Sequence, residues 1–344
     1  MRLAKPGADD TVRIPPRRRS RHGGAVAAVA VLVVILAGSL SGWLFWPRPA
    51  QHPAIAPPAV TALPAPAPAA ANTAGAPAPI FHIESATEEQ IRSHVPSGLA
   101  VFRFADNPRI LVLDFASLHD QGRMLNRVAA LTEKAGLPHD RILSEAELDA
   151  AINSQGDTVE TFYYGHDYAA ASLARFFRLA DSQKIELDPQ EEALRALMQQ
   201  EGWFAPGVTA GLISLPGVGA DAKVTASARA SILRHELSHG EFFSNPAYAE
   251  YVHNFWLTAL TGTERAEFRS FLAKEEYDAG EEELMFNEMQ AYLMFTRDPL
   301  FFTPDMAGLT AKRLSELQAE FLAGMPAGWL RDVLASYPST TAAR

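Results

Sequence analysis

The chain has 344 residues, a formal net charge of −10 and no cysteine. The lack of cysteine excludes disulfide bonds, a cysteine nucleophile and a thiolate metal site. The charge is divided unevenly, because the first 50 residues carry a balance of +6 and the remaining residues a balance of −16. An acidic domain repels the phosphate backbone of nucleic acids, so we expect no nucleic-acid partner.

An uncharged apolar segment at residues 23–46 follows an arginine-rich stretch. A helix of this length would cross the roughly 30 Å hydrocarbon core of a membrane. The arginines predict a cytoplasmic basic tail at residues 1–22, an uncleaved single-pass transmembrane helix, and a following domain in the periplasm. A cleaved signal peptide is the alternative, although no convincing small-x-small cleavage site follows the apolar segment.

Residues 47–79 consist almost entirely of proline, alanine and other small residues, and no charge follows Arg48 in this stretch. Such a segment cannot bury a hydrophobic core, and its prolines favour an extended polyproline II conformation. We therefore predict a semi-rigid linker that holds the following domain away from the membrane.

The composition changes at Ile80 to aromatic, charged and periodically apolar residues, which predicts a domain at 80–336 and a loose tail at 337–344. The pattern indicates an α+β fold with a small N-terminal β-containing part and a mainly helical C-terminal half. The predicted strands are Val101–Phe104, Arg109–Phe115 and Val208–Pro216. The predicted helices are Gln121–Lys134, a short helix opened by Ser144, Tyr168–Ala180 and Pro189–Gln200. After Pro216 nearly all of the chain to about Leu334 is predicted to be helical.

The strongest chemical signal is the HExxH pattern formed by His235, Glu236 and His239 within a proline-free helical segment at 226–243. Histidines four positions apart project from the same face of a helix and can bind one cation. In this pattern two neutral imidazoles bind zinc, and the glutamate takes a proton from water. We therefore predict one zinc ion, with both histidines as ligands and Glu236 as the catalytic base.

A catalytic zinc site needs a third protein ligand and one open position. The metzincin pattern is absent, since Phe242 and Asn245 stand where that pattern needs glycine and histidine. Downstream, Glu288 lies in the middle of an apolar face of a predicted helix that ends before Pro299. An unpaired buried carboxylate is costly, and a metal ion would remove that cost. Glu288 is therefore the predicted third ligand.

The HExxH helix and the downstream pair Asn287-Glu288 resemble the gluzincin metallopeptidases, the group that includes thermolysin. This resemblance implies that Glu288 completes the zinc site and that the chain hydrolyses peptide bonds. Where thermolysin-like enzymes carry an aspartate that orients a ligand histidine, four residues after the glutamate, this chain has Tyr292. Orientation must then come from elsewhere, and Glu241 and Asp278 are candidates.

Peptide hydrolysis also needs a hydrogen-bond donor for the oxyanion of the tetrahedral intermediate. Tyr292 is the predicted donor because it lies one helical turn beyond Glu288. His253 and the cluster at 163–168 are alternatives. The strand at Val208–Leu215 could pair with the substrate backbone as an edge strand, but a core strand is an equally good interpretation.

These patterns predict a membrane-anchored zinc peptidase that acts on a peptide or protein outside the cytoplasm, with Glu236 as base and then acid. Two alternatives stay open. One is a membrane-tethered binding or scaffolding domain that retains the fold without turnover. The other keeps the metal and hydrolyses the peptides of the cell wall.

Overall fold

Five short strands form one mixed sheet in the computed structural model, which describes residues 79–335. The strands are β1 (Ile83–Ala86), β2 (Leu99–Phe104), β3 (Ile110–Phe115), β4 (His166–Ala169) and β5 (Gly211–Pro216). Their order in the sheet is β1-β2-β3-β5-β4. The pairs β1/β2 and β3/β5 are parallel, and the pairs β2/β3 and β4/β5 are antiparallel.

The centre of the sheet is formed by β3 and β5, whose residues are all buried. Both are nearly continuous apolar runs, as expected for strands covered on both faces. Their register places Ile110 opposite Gly211 and Leu113 opposite Ser214. The strand β4 pairs only with β5 and is one edge of the sheet. The edge that borders the candidate site is therefore a segment of only four residues.

Helices alternate with the strands in the first half of the domain and follow them in the second half. The first half of the domain contains α1 (Glu88–Ser93), α2 (Leu118–Thr132), α3 (Glu145–Gln155), α4 (Ala170–Gln183) and α5 (Pro189–Gln200). The second half contains α6 (Ala226–Ser244), α7 (Pro246–Thr258), α8 (Gly262–Lys274), α9 (Glu282–Gln290), α10 (Ala311–Gly324) and α11 (Trp329–Ala335). A π-helical turn, Ala291–Phe295, continues α9, and a short 3-10 helix spans Pro304–Ala307.

The helix α6 lies between the sheet and the C-terminal helices. Its residues Ile232, Leu233 and Leu237 share a buried apolar cluster with strand residues. Two glycines allow a close approach to the sheet: a Cβ atom at Gly240 would lie 2.8 Å from Ile110, and a Cβ at Gly211 would lie 3.1 Å from the Cα of Gly240. The sheet therefore fixes the position of α6 closely.

The predicted α+β class is confirmed by the helices and the five-stranded sheet, but the predicted architecture needs two corrections. No helix among residues 79–335 is long and apolar enough to cross a membrane. The longest of them, the 19-residue α6, carries charged residues such as Arg229 and Glu236 on buried faces. The predicted basic tail, anchor, C-terminal tail and nearly all of the linker lie outside the described residues.

The second correction concerns the β-containing part, which is not a small N-terminal unit. Its strands are drawn from residues 83 to 216 and alternate with five helices. The sequence pattern missed β1 and β4, because each has only four residues and exposes part of its length. It also began the helix now seen as α4 at Tyr168, although Tyr168 belongs to β4.

A buried ion pair connects α6 to the sheet. Arg229 and Asp114 are both 0% exposed, and the two guanidinium nitrogens Nη1 and Nη2 each lie 2.8 Å from a different carboxylate oxygen. The same guanidinium donates to the carbonyl oxygens of Ile91 and Pro216 at 2.8 and 2.6 Å. One side chain thus connects α1, α6 and the ends of two strands.

We expect Arg229→Met to lower the free energy of unfolding by about 3–5 kcal/mol, because it leaves Asp114 buried without its main countercharge. Urea denaturation followed by circular dichroism measures this loss. Arg141 is the matched control, since its ion pair with Glu147 is about half exposed on both sides, and Arg141→Met should cost below about 1 kcal/mol. Equal losses in the two variants would contradict the assigned role.

Candidate metal centre

The helix α6 presents His235 and His239 on one face, one turn apart. The helix begins at Ala226, where the Thr225 hydroxyl accepts a hydrogen bond from the Ala228 amide, and it continues regularly through the HExxH segment. The Nε2 atoms of the two histidines lie 3.1 Å from each other. Each imidazole therefore points its Nε2 atom toward the same position.

Glu288 reaches the same point from α9. Its Oε2 atom lies 3.6 Å from Nε2 of His235, and its Oε1 atom lies 3.7 Å from Nε2 of His239. A tetrahedral ion with ligands at 2.0–2.2 Å separates its ligand atoms by roughly 3.3–3.6 Å. These distances are close to that spacing. The buried group His235, His239 and Glu288 could hold a metal ion.

The electrostatics of the group also favour a cation. Glu288 is 0% exposed, and neither carboxylate oxygen has a hydrogen bond of normal geometry. Burial raises the pKa of Glu288 to about 8, so its ionised form needs a countercharge that a cation would supply. Burial lowers the pKa of His235 to about 4, which keeps that imidazole neutral, the form that binds metals.

Thr296 fixes the tautomer of His235. The Thr296 hydroxyl donates to the carbonyl oxygen of Ala291 at 3.0 Å, and Nδ1 of His235 lies 2.8 Å from the same hydroxyl oxygen. Because that hydroxyl uses its only proton on the carbonyl, it must accept a hydrogen bond from Nδ1–H. The proton of the neutral imidazole is then on Nδ1, and Nε2 presents a lone pair to Glu288 and His239.

The π-helical turn explains how Thr296 reaches this position. The backbone amide of Thr296 donates to the carbonyl of Ala291, five residues earlier, at 3.0 Å, whereas an α-helical bond joins residues four apart. The extra residue in the turn changes which side chains face α6 after Gln290. Sequence patterns based on 3.6 residues per turn contain no signal for this change, and Thr296 was therefore not among the predicted site residues.

We expect Thr296→Val to weaken metal binding by roughly 10–100-fold, because valine keeps the shape and removes the acceptor for His235. Competition of the purified protein with a fluorescent zinc chelator measures the dissociation constant. Thr296→Ser retains the hydroxyl and should bind metal nearly as tightly as the native chain. If valine and serine gave the same affinity, the hydrogen bond would not orient His235.

His239 faces a carboxylate of the edge strand. Its Nδ1 atom lies 3.7 Å from Oδ1 of Asp167 in β4 and has no hydrogen-bond partner. That distance is longer than a hydrogen bond, but it places the Asp167 carboxylate next to the Nδ1 side of the ring. Asp167 lies within the cluster at 163–168 that the sequence indicated for another role. The two candidates named for orientation, Glu241 and Asp278, form no hydrogen bond or ion pair with either histidine in the described part of the chain.

Those two acids have other partners. Glu241 accepts hydrogen bonds from Asn107, Asn245 and Trp329 at 2.6–2.8 Å. Asp278 accepts from the backbone amide of Gly280 at 2.9 Å and lies 3.9 Å from a ring nitrogen of His139. Both acids therefore stabilise neighbouring loops and helix ends instead of the histidines.

Glu236 packs against a glycine that no other residue could replace without movement. A Cβ atom at Gly165 would lie 2.1 Å from Oε1 of Glu236. Its other oxygen, Oε2, is buried without a hydrogen-bond partner. Burial and the neighbouring carboxylates of Asp167, Glu288 and Glu133 raise the pKa of Glu236 well above its ordinary value. The loop before β4 thus leaves just enough space for a carboxyl group that favours holding a proton.

Tyr292 lies against His235, with ring centroids 4.8 Å apart in an edge-to-face arrangement. Its hydroxyl hydrogen-bonds to Tyr277, and burial raises its pKa well above the ordinary value. Of the alternative donors, His253 is exposed and stacks on Phe286. In the cluster at 163–168, the Tyr163 hydroxyl is buried without a partner, and the charges of Glu133 and Glu288 help to raise its pKa.

The edge strand beside α6 is β4. The predicted segment Val208–Leu215 forms β5 from Gly211 onward, and β5 is paired on both sides, by β3 and by β4. Its backbone groups are used within the sheet, so the core-strand interpretation is the correct one. The outer edge of β4 is free of strand pairing in the described part of the chain.

No known protein family, curated protein or solved structure matches the chain. The chemistry of the centre therefore has to be inferred from its own residues.

Proposed function

We propose that the chain is a zinc-dependent peptidase in which His235, His239 and Glu288 hold the ion and Glu236 transfers the proton. The observation that supports this most is the convergence of two Nε2 atoms and a fully buried carboxylate within 3.1–3.7 Å. Two neutral imidazoles and one carboxylate are the ligand set of many catalytic zinc sites, which leave a fourth position open. When bound, zinc would supply Lewis acidity that acidifies water and polarises a carbonyl oxygen.

In the proposed reaction Glu236 acts as base and then as acid. It follows His235 directly in α6, and its carboxyl group is buried beside the ligand cluster. A carboxylate in this position could take a proton from a water molecule and return it to the leaving amine. The lack of a side chain at Gly165 leaves the space that this carboxyl group occupies.

A peptide is the substrate that the surroundings favour. The strand β4 lies beside α6 and has an unpaired outer edge. Exposed strand edges bind extended peptides through main-chain hydrogen bonds. A peptide on β4 would pass the side chain of Asp167, which contacts His239 at 3.7 Å. A free edge next to the ligand cluster therefore supports a peptide bond as the group that is cleaved.

The test uses the full chain and a mixed peptide library analysed by mass spectrometry. We expect the zinc-loaded protein to cleave peptides, a chelator to abolish cleavage, and added zinc to restore it. A binding domain without turnover would retain zinc and cleave nothing. The proposal would be overturned if the purified protein bound no zinc even at saturating zinc concentration, or if cleavage persisted after chelation.

A further inference from the structure

A cleft of about 440 Å³ opens beside the candidate metal centre. One wall is the edge strand β4, another is the end of α2, and a third is the start of α9. Asp167 and Asn287 connect it to the centre, since Asp167 faces His239 and Asn287 precedes Glu288. A substrate that lies along β4 would have part of its length next to this cleft.

The charge of the cleft is negative. Glu133, Asp167, Glu281 and Glu283 contribute carboxylates, whereas Arg175 is the one arginine among its lining residues. Arg175 is itself exposed and donates to the His139 carbonyl. The excess of carboxylates favours a cation over a neutral or anionic group.

Two of the acceptors are buried and have few hydrogen-bond donors or none. Glu133 is 5% exposed, and among the described residues its carboxylate has only the Tyr168 hydroxyl, at 3.5 Å, as a hydrogen-bond partner and forms no ion pair. Asn287 is 4% exposed, and its Oδ1 atom has no partner. Buried acceptors without donors cost free energy, and an incoming group with several N–H donors would recover it.

Part of the remaining surface of the cleft is apolar, beside the polar side chains of Thr132, His139, Tyr168 and Ser172. Leu131, Phe243 and Leu284 line it, and Leu131 is buried while the other two are half-buried. A cleft with apolar walls and buried carboxylates matches a side chain with a methylene stem and a charged end, as in lysine or arginine.

We propose that this cleft binds a positively charged group of the peptide substrate, an ammonium or guanidinium, and thereby selects the peptides that are cleaved. This inference rests on the proposed peptidase function and specifies its substrate class. Glu133 and the Oδ1 atom of Asn287 accept hydrogen bonds from the cationic group, and the apolar wall packs against its stem.

The experiment compares matched fluorogenic peptides with the zinc-loaded full chain. One set carries lysine, arginine or the uncharged norleucine at each position around the scissile bond. A second set carries a free or an acetylated N-terminus, which separates a side-chain ammonium from the terminal one. We expect one cationic form to raise kcat/KM by about tenfold or more over its neutral counterpart, mainly through KM.

Glu133→Gln keeps the shape of the side chain and removes its charge. We expect this variant to lose about tenfold of the cationic preference, measured as the ratio of kcat/KM between the cationic and the neutral peptide. Glu89→Gln removes an exposed carboxylate of α1, far from the cleft in the fold, and should leave the preference unchanged. Circular dichroism and zinc content confirm that each variant is folded and loaded.

A binding measurement keeps the two proposals separable. Calorimetric titration of the cationic and neutral peptides into the Glu236→Gln protein needs no turnover. Cleavage of all peptides without a charge preference would overturn the cleft proposal and leave the peptidase standing. Tighter binding of cationic peptides, with no cleavage by the native protein, would support the cleft and overturn the peptidase. If the protein neither bound nor cleaved the peptides, both proposals would be overturned.

Discussion

Glu236→Gln is expected to lower kcat/KM for peptide hydrolysis by about 10²–10⁴-fold, the usual contribution of a positioned acid–base group. Glutamine fits the same space beside Gly165 but cannot accept a proton from water. The zinc content and the thermal unfolding temperature should stay close to those of the native chain, because Glu236 is not one of the three residues that could hold the ion. Unchanged cleavage by a zinc-loaded Glu236→Gln protein would contradict the mechanism.

The same carboxyl group can be displaced without replacing it. A methyl group at Gly165 would collide with Oε1 of Glu236 at 2.1 Å, and the side-chain end is the part that can move. Gly165→Ala should therefore reduce cleavage while the zinc content is retained. Gly262→Ala is the control, since a Cβ atom there meets nothing within 4 Å. Full activity in the Gly165→Ala protein would mean that the position of Glu236 is unimportant.

Glu288→Met is expected to change metal affinity and metal-free stability in opposite directions. Zinc binding should weaken by more than the roughly 100-fold that loss of an orienting group costs, because a ligand itself is removed. The metal-free protein should become more stable by about 1–3 kcal/mol, because a buried carboxylate without a hydrogen bond of normal geometry is replaced by an apolar side chain of similar length.

Zinc titration and urea denaturation in the presence of a chelator measure the two effects separately. Glu283→Met is the matched control in the same helix, since Glu283 is exposed. It should leave both quantities nearly unchanged. A Glu288→Met protein that binds zinc as tightly as the native chain would exclude Glu288 as a ligand. A metal-free form less stable than the native chain would mean that the Glu288 carboxylate is already satisfied.

The sequence was sufficient where one helix carries the whole pattern. Of the residues that could hold an ion, His235 and His239 follow from spacing along α6, and Glu288 follows from being an acid on an apolar helical face. Both arguments need only a regular helix with 3.6 residues per turn.

The other residues around the candidate site could not be predicted, because they lie in irregular or short elements. Thr296 contacts His235 only because the chain makes a π-helical turn at Ala291–Phe295, and that turn has no mark in the apolar pattern. Asp167 and Gly165 belong to the four-residue strand β4 and the loop before it, which are too short for periodicity. The edge of the sheet could not be assigned to β4 until the pairing of β5 on both sides was known.

The position of α6 between the sheet and the C-terminal helices has a consequence for folding. Two of the residues that could hold an ion belong to the helix packed on the strands, and the third belongs to the helical layer beyond it. A bound ion would therefore cross-link these layers and close the chain between residues 240 and 287 into a loop. Closing a loop restricts the unfolded chain more than the folded one. Metal supply would then govern how long the helical layer stays docked on the strands, and with it the lifetime of the protein in the presence of proteases.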